Sequence, residues 1–259
     1  MNLILLDRAE LGDDGAVTLT DTRARHVIEV LKVTPGQAIR IGVLDGPKGL
    51  GTVTLVANGR VGVTCQLEAS PPPAPAVDLL LALPRPKVMR RLWAQLAAMG
   101  VGRIIITNAA RVERNYFDTH VLTPECYRPL LIEGLQQAQD TLVPRISIHR
   151  RFKILIEDEL DTLSAAPVRL AAHPAPDAAA LASRCPAHQT GPDARVLLAV
   201  GPEGGWDDYE MGLLEARGFQ PVSIGPRTLR TDTACVALLA LLHAAMESGV
   251  SSVSSDSPG

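Results

Sequence analysis

At 259 residues the chain is long enough for one or two domains with a substantial core, and its formal net charge of -3 carries no global signal for nucleic acid. Four cysteines without a CxxC pair and six histidines without an HExxH exclude a disulfide framework and a structural zinc site. The start, MNLILLDRAE, carries an acid within its short apolar run and no cleavage pattern, and no apolar run approaches membrane-spanning length; the expectation is a reduced, soluble, cytoplasmic protein with no metal and no membrane.

From residue 1 to about 70 the chain offers short β-branched segments separated by turn residues: GAVTLT, QAIRIGVL, LGTVTLVAN and RVGVTCQLE. That spacing predicts a small antiparallel sheet or barrel. One helical interruption over residues 21–31 places Arg23, Arg25 and His26 near its start, His26 being either a surface or partly buried histidine or a ligand contact. Asp45, Gly46, Gly49 and Gly51 fit turns between strands, and GPKGLG is no phosphate loop because no GK[ST] follows.

SPPPAPA, residues 70–76, is the clearest boundary, since consecutive prolines favour extended geometry and cannot continue a helix or a central strand. Beyond it, apolar strand candidates (VDLLLAL, RIIIT, ISIHR, VRLAA, RVLLAV, PVSIG) alternate with helical stretches, which predicts a mostly parallel sheet flanked by helices. No GxGxxG follows the first of these strands, so an ordinary dinucleotide-binding domain is not indicated.

In the helix starting near Pro86, Met89, Leu92, Trp93 and Leu96 fall on one face, with Lys87, Arg90 and Arg91 opposite. With Arg85, Arg103, Arg111 and Arg114 this is the densest basic region of the chain, a solvated face or an RNA phosphate footprint. Farther on, Glu133, Gln136 and Gln137 in LLIEGLQQAQD fit a polar helix face.

The stretch from 195 to 243 reads as strand, glycine loop, helix, strand, loop, helix. A capping pair, Asp207 with Glu210, should start the first helix directly beyond GPEGG. Loops 201–206 and 225–233 would then leave the carboxyl ends of neighbouring parallel strands, where open α/β sheets hold their ligands. GPEGG alone could be a plain glycine turn. The second loop, PRTLRTDTA, adds two arginines, an aspartate and three threonines just before a nearly all-apolar helix over residues 234–246, a helix that needs cover on several sides, from the sheet and from a second subunit. The tail, 249–259, is too polar to fold.

VGPEGG followed by IGPRTLRTDTA resembles the signature of the RsmE family of SPOUT-class RNA methyltransferases, which methylate ring N3 of a uridine in 16S ribosomal RNA; HVIEVLKVTPGQ and ARVERNYFD extend the resemblance over nearly the whole chain. It implies a PUA-like RNA-binding β-barrel over 1–70, a SPOUT domain over 74–248 whose last segment is threaded as a trefoil knot, a homodimer, and ribosomal RNA or the small ribosomal subunit as partner. It also implies S-adenosyl-L-methionine as cofactor, wrapped largely through backbone by Val200, Gly201, Pro202, Glu203, Gly204, Gly205, Ile224, Gly225, Pro226, Thr228, Leu229, Thr233 and Ala234.

On the RNA side the resemblance points to Arg23, Arg25, His26, Arg85, Lys87, Arg90 and Arg91. Lys32 stands where the family usually has arginine, keeping the charge but losing a bidentate fork, and QQAQD stands where EQSGR is frequent, so Asp140 replaces a basic residue. Uracil N3 is a poor nucleophile until its proton leaves. Arg230 is the candidate that stabilises the resulting charge, and Asp232 is either the base, in place of the family's glutamate, or a cap of the last helix. Three functions are therefore carried forward: this methyltransferase, a relative acting on another RNA or base, and a non-catalytic RNA-binding assembly factor.

Overall fold

A computed structural model describes residues 3–173, 178–184 and 195–248. The chain divides into two compact units, Met1–Ala74 with Pro129–Val143, and Pro75–Arg128 with Pro144–Gly259. The tail expected to be unfolded, and Cys185, lie outside the described residues.

In the first unit β1 (Ile4–Leu6), β2 (Ala16–Leu19), β3 (Ala38–Val43), β4 (Lys48–Ala57) and β5 (Arg60–Leu67) form one sheet in the order β1-β3-β4-β5-β2. All pairs are antiparallel except β1 with β3. β1 was not expected as a strand: three apolar residues show no alternation, and burial on both faces explains why. The expected helix is present as α1 (Thr22–Arg25), continued by a π-turn over His26–Val30. Ile4, Leu6, Leu19, Val27, Ile41 and Val61 fill the core.

Gly49 and Gly51 lie inside β4 and not in turns. A Cβ on Gly49 would stand 2.2 Å from the Gln66 carbonyl oxygen, so glycine serves close strand approach there. Asp45, with φ of 55°, does occupy a turn.

The second unit opens with β6 (Val77–Ala82), α2 (Pro86–Ala98) and β7 (Val101–Thr107). α2 begins with Pro86 at its first turn and buries Met89, Leu92, Trp93 and Leu96, the face expected from spacing. α3 (Pro124–Ala138) follows; its residues from Pro129 onward group with the first unit. Next come β8 (Arg145–His149), a helical stretch of α4 (Phe152–Ile154), a π-turn and α5 (Leu160–Leu163), then β9 (Val168–Ala172), β10 (Ala179–Ala180) and α6 (Leu181–Arg184). The unit closes with β11 (Val196–Val200), α7 (Asp208–Ala216), β12 (Phe219–Ser223) and α8 (Thr231–Ser248).

These strands form one seven-stranded sheet in the order β10-β12-β9-β11-β6-β7-β8, every described pair parallel. The α/β expectation for this part of the chain is met, with one correction. β11 and β12 are not neighbours: β9 lies between them, pairing with both. All three still end at the same edge, and the β9 end is inserted between the two motif loops. α8 packs on α2, α6 and β11, burying Cys235, Leu238, Leu239 and Leu242 and leaving Leu241 47% exposed.

Candidate cofactor pocket and substrate side

A pocket opens at the carboxyl edge of the β11, β9 and β12 strands. The glycine loop forms one wall with Val200, Gly201, Pro202, Glu203 and Gly205, and the second loop forms another with Ile224, Gly225, Thr228, Leu229 and Ala234. These ten come from the expected cofactor set. Gly204, Pro226 and Thr233, also expected, do not line it. The space between the two loops is concave and partly open to solvent.

Sequence reasoning missed seven lining residues: Ala172 and His173 from the end of β9, Val222, Ser223 and Arg227 around the second loop, and Thr231 and Leu238 on α8. The β9 pair was hidden because periodicity identifies a strand but not its neighbours. A histidine directly after the apolar run VRLAA was the available signal.

Two buried polar atoms in this lining, His173 Nδ1 and Thr231 Oγ1, have no hydrogen-bond partner among the described residues. Thr231 is only 3% exposed, so an unmet hydroxyl there is costly unless a ligand meets it. The rest of the lining is mainly aliphatic: Val200, Val222, Ile224, Leu229 and Leu238. A largely apolar lining with two unmet polar atoms suits a small molecule that carries both apolar and polar groups.

The glycine loop is shaped by its own packing. Gly205 has φ of 73°, a conformation favouring glycine, and its N–H donates to the Pro202 carbonyl at 2.8 Å. A Cβ on Gly201 would come within 3.1 Å of the Trp206 nitrogen across the loop. Beyond it the expected capping box is formed: Glu210 N–H donates to Asp207 Oδ1 at 2.8 Å, and Asp207 N–H donates to Glu210 Oε2 at 3.0 Å. The other Glu210 oxygen accepts from Ala110 N–H at 2.6 Å, and Arg111 Nη1 donates to the Gly204 carbonyl. Segment 110–111, following β7, is thus bound to the glycine loop and to α7.

Neither Arg230 nor Asp232 lines this pocket. Arg230 precedes α8, its carbonyl accepting from Ala234 N–H at 2.7 Å, while its exposed guanidinium makes no hydrogen bond or ion pair among the described residues. Asp232 is the second residue of α8, inside the N-cap position, and its carboxylate still meets a first-turn amide, so the base and helix-end alternatives both stand. Its Oδ2 accepts from Arg91 Nη2 and its Oδ1 from Thr233 N–H, each at 3.0 Å.

The basic residues expected on RNA divide into two groups. Arg85, Lys87 and Arg90 are exposed on or beside α2 with no ion pair among the described residues, whereas Arg91 is held by Asp232. In the first unit Arg25 is exposed and His26 half-buried. Arg23 is committed to the fold: it bridges Glu10 and Asp21 and donates to the Leu5 carbonyl at 2.8 Å. Asp140 stands 4.0 Å from Lys48, and Gln139 accepts a hydrogen bond from Arg40. Among the described residues no cluster of His, Cys, Asp or Glu could hold a metal ion, and no helix is long and apolar enough to cross a membrane.

Residues 71–243 match the family described as RNA methyltransferase domain. A ribosomal RNA small subunit methyltransferase E of Treponema pallidum is 29% identical over 94% of this chain and 92% of its own length. One from Borreliella burgdorferi is 25% identical over 92% and 95%. Among solved structures, a ribosomal RNA small subunit methyltransferase E of Neisseria gonorrhoeae bound to S-adenosyl methionine superposes with a TM-score of 0.73 at 22% identity, covering 94% of this chain and 97% of that one. A putative methyltransferase of Legionella pneumophila, in complex with the bound cofactor SAM, gives 0.71 at 22% identity, with 94% and 97% covered. At that identity the likeness establishes a shared fold.

Proposed function

Because the chain belongs to the RNA methyltransferase domain family, we propose that it is an S-adenosylmethionine-dependent enzyme that methylates N3 of a uridine in 16S ribosomal RNA. The observation that carries this reading is the pocket at the sheet edge, built by the two motif loops and holding the unmet polar atoms of His173 and Thr231. Curated relatives named as small-subunit ribosomal RNA methyltransferases, matched over nearly their full length, support the choice of substrate.

S-adenosylmethionine supplies a sulfonium-bound methyl group, so the protein's task is orientation and proton removal. Gly201, Pro202, Glu203 and Gly205 with Ile224, Gly225, Thr228 and Leu229 would hold the cofactor, and Thr231 Oγ1 and His173 Nδ1 would meet its polar groups. Arg230, whose guanidinium is uncommitted, stabilises the negative charge that develops on uracil as N3 loses its proton. Asp232, oriented by Arg91, accepts that proton. Arg85, Lys87 and Arg90 engage phosphates; Arg25 and His26 are read as RNA contacts of the first unit, itself read as a PUA-like domain over 1–70.

The domain over 74–248 is read as SPOUT-type with a knotted carboxyl-terminal segment, working as a cytoplasmic homodimer in which a second copy covers the exposed Leu241 of α8. A second reading, the same chemistry on another RNA or base, is favoured by Asp140, which puts a carboxylate beside Lys48 where the family resemblance leads one to expect a basic residue. Incubating the protein with methyl-labelled S-adenosylmethionine and either 16S ribosomal RNA or assembled small subunits tests the reading: label on uridine N3 is expected, label on another base moves the account to the second reading, and no label with tight cofactor binding removes it.

A further inference from the structure

We infer that Arg111 is a positioning residue for the glycine loop: its guanidinium fastens the Gly204 carbonyl from outside while the rest of the loop faces the pocket. The consequence for ligand affinity rests on reading that pocket as the S-adenosylmethionine site; the clamp itself does not.

The geometry has three parts. Arg111 Nη1 donates to the Gly204 carbonyl, and a Cβ on Gly204 would stand 2.7 Å from Arg111 Cδ and 3.5 Å from its Cβ, so the aliphatic stem lies flat along the Gly204 Cα. Gly204 therefore needs to be glycine against an arginine, and not against the ligand, which agrees with its absence from the pocket lining. Gly201, Pro202, Glu203 and Gly205 form the lining instead.

The second part is the anchoring of Arg111 itself. Ala110 N–H is fixed to Glu210 Oε1 at 2.6 Å, and Glu210 is 3% exposed and bound through its other oxygen to the start of α7. Arg111 thus begins from a backbone tied to the same loop-helix junction that it clamps, which reduces the freedom its side chain must lose. The third part is the loop's dependence on outside support. With Gly205 in a left-handed conformation and a single short turn bond from Gly205 N–H to Pro202, the loop has little internal structure to hold its shape when empty. A charge-assisted bond to its carbonyl preorganises it.

The test compares wild type, Arg111→Ala, Gly204→Ala and the double variant by calorimetry with S-adenosylmethionine, and by hydrogen exchange of the peptide covering 201–206 without ligand. Arg111→Ala should weaken binding about tenfold, the scale of one hydrogen bond to a charged group, and should speed loop exchange while the melting temperature barely moves. Gly204→Ala should do the same in the wild-type background, because its methyl displaces the arginine stem. It should add nothing once Arg111 is alanine. Arg111→Lys, which keeps a stem and a donor, should recover part of the loss.

Unchanged affinity and exchange in Arg111→Ala would overturn the inference, and so would a Gly204→Ala penalty equal in both backgrounds, since Gly204 would then touch the ligand directly. If wild type fails to bind S-adenosylmethionine, the functional reading falls, and the exchange arm decides on Arg111 alone: faster exchange in Arg111→Ala supports the clamp, unchanged exchange overturns it.

Discussion

Arg91 Nη2 donates to Asp232 Oδ2 at 3.0 Å, joining α2 to the first turn of α8 across 141 positions of sequence. The arginine side chain is 59% exposed and the aspartate 20%, so the pair adds only about 0–1 kcal/mol of stability. What it does is bias orientation: Oδ2 on Arg91 and Oδ1 on Thr233 N–H favour the rotamer that keeps the carboxylate at the amino end of α8.

If that carboxylate is the base, Asp232→Asn should lose most activity at neutral pH and regain part of it in alkaline buffer, where more uracil is already ionised. Loss of an exposed pair and of one favourable helix-dipole charge should lower the melting temperature by no more than about 4 °C. A pH-rate profile beside a melting curve separates the two contributions. Full activity at neutral pH would leave proton removal to solvent.

Arg230 makes no ion pair among the described residues and lies outside the pocket lining, so its removal should spare the cofactor. Arg230→Ala is expected to lower kcat by about a hundredfold or more, with S-adenosylmethionine affinity within about twofold of wild type. Comparable losses in both would place Arg230 on the cofactor side.

RNA affinity should depend on Lys87 and Arg90, the exposed cations of α2 that form no ion pair among the described residues. Reversing Lys87 and Arg90 to glutamate should weaken RNA binding and reduce the salt slope by about 2, since each contact removed releases fewer counterions. Arg91 is left out because a glutamate there would face Asp232. Filter binding across a salt series reads both quantities, and an unchanged curve would show the RNA surface to be elsewhere.

Arg23 should behave differently. Its hydrogen bonds hold the Glu10 and Asp21 carboxyls below the usual carboxylate range, and the same partners push its own pKa up. Acids with lowered folded values add stability that is complete above their ordinary titration range, near pH 4, and is lost as pH falls through the lowered values. Arg23→Ala should cost about 2 kcal/mol at neutral pH and flatten the acid side of the stability profile, with RNA affinity retained. Denaturant melts at several pH values check the slope.

Burial pushes the Cys235 thiol up to about 12, with the Asp232 charge adding to the effect. Cys65 and Cys126 are only half-buried. Alkylation of the folded protein at neutral pH should therefore mark Cys65 and Cys126 well before Cys235, which mass mapping of the labelled peptides will show. Early labelling of Cys235 would mean that α8 opens at its start.

The parts legible in sequence were those encoded locally. The Met89, Leu92, Trp93 and Leu96 face of α2 follows from helical spacing, and the capping box of α7 follows from Asp207 and Glu210 three apart. What distant pairing decides was not legible. Nothing in VRLAAH says that β9 enters between β11 and β12, so Ala172 and His173 could not be assigned to the pocket. Gly204 carried a glycine signal whose cause, the stem of Arg111, lies 93 residues away. Arg23 shows the same limit in reverse: a basic residue beside Arg25 and His26 suggests an RNA contact, and only the folded positions of Glu10 and Asp21 reveal that it is already bound.

Methylation of a uridine in 16S ribosomal RNA is read out by mass-spectrometric mapping of modified nucleosides in that RNA from cells with and without the gene. One N3-methyluridine should disappear on deletion, return with the wild-type gene and fail to return with Arg230→Ala. An identical set of methylated uridines in both strains would contradict it.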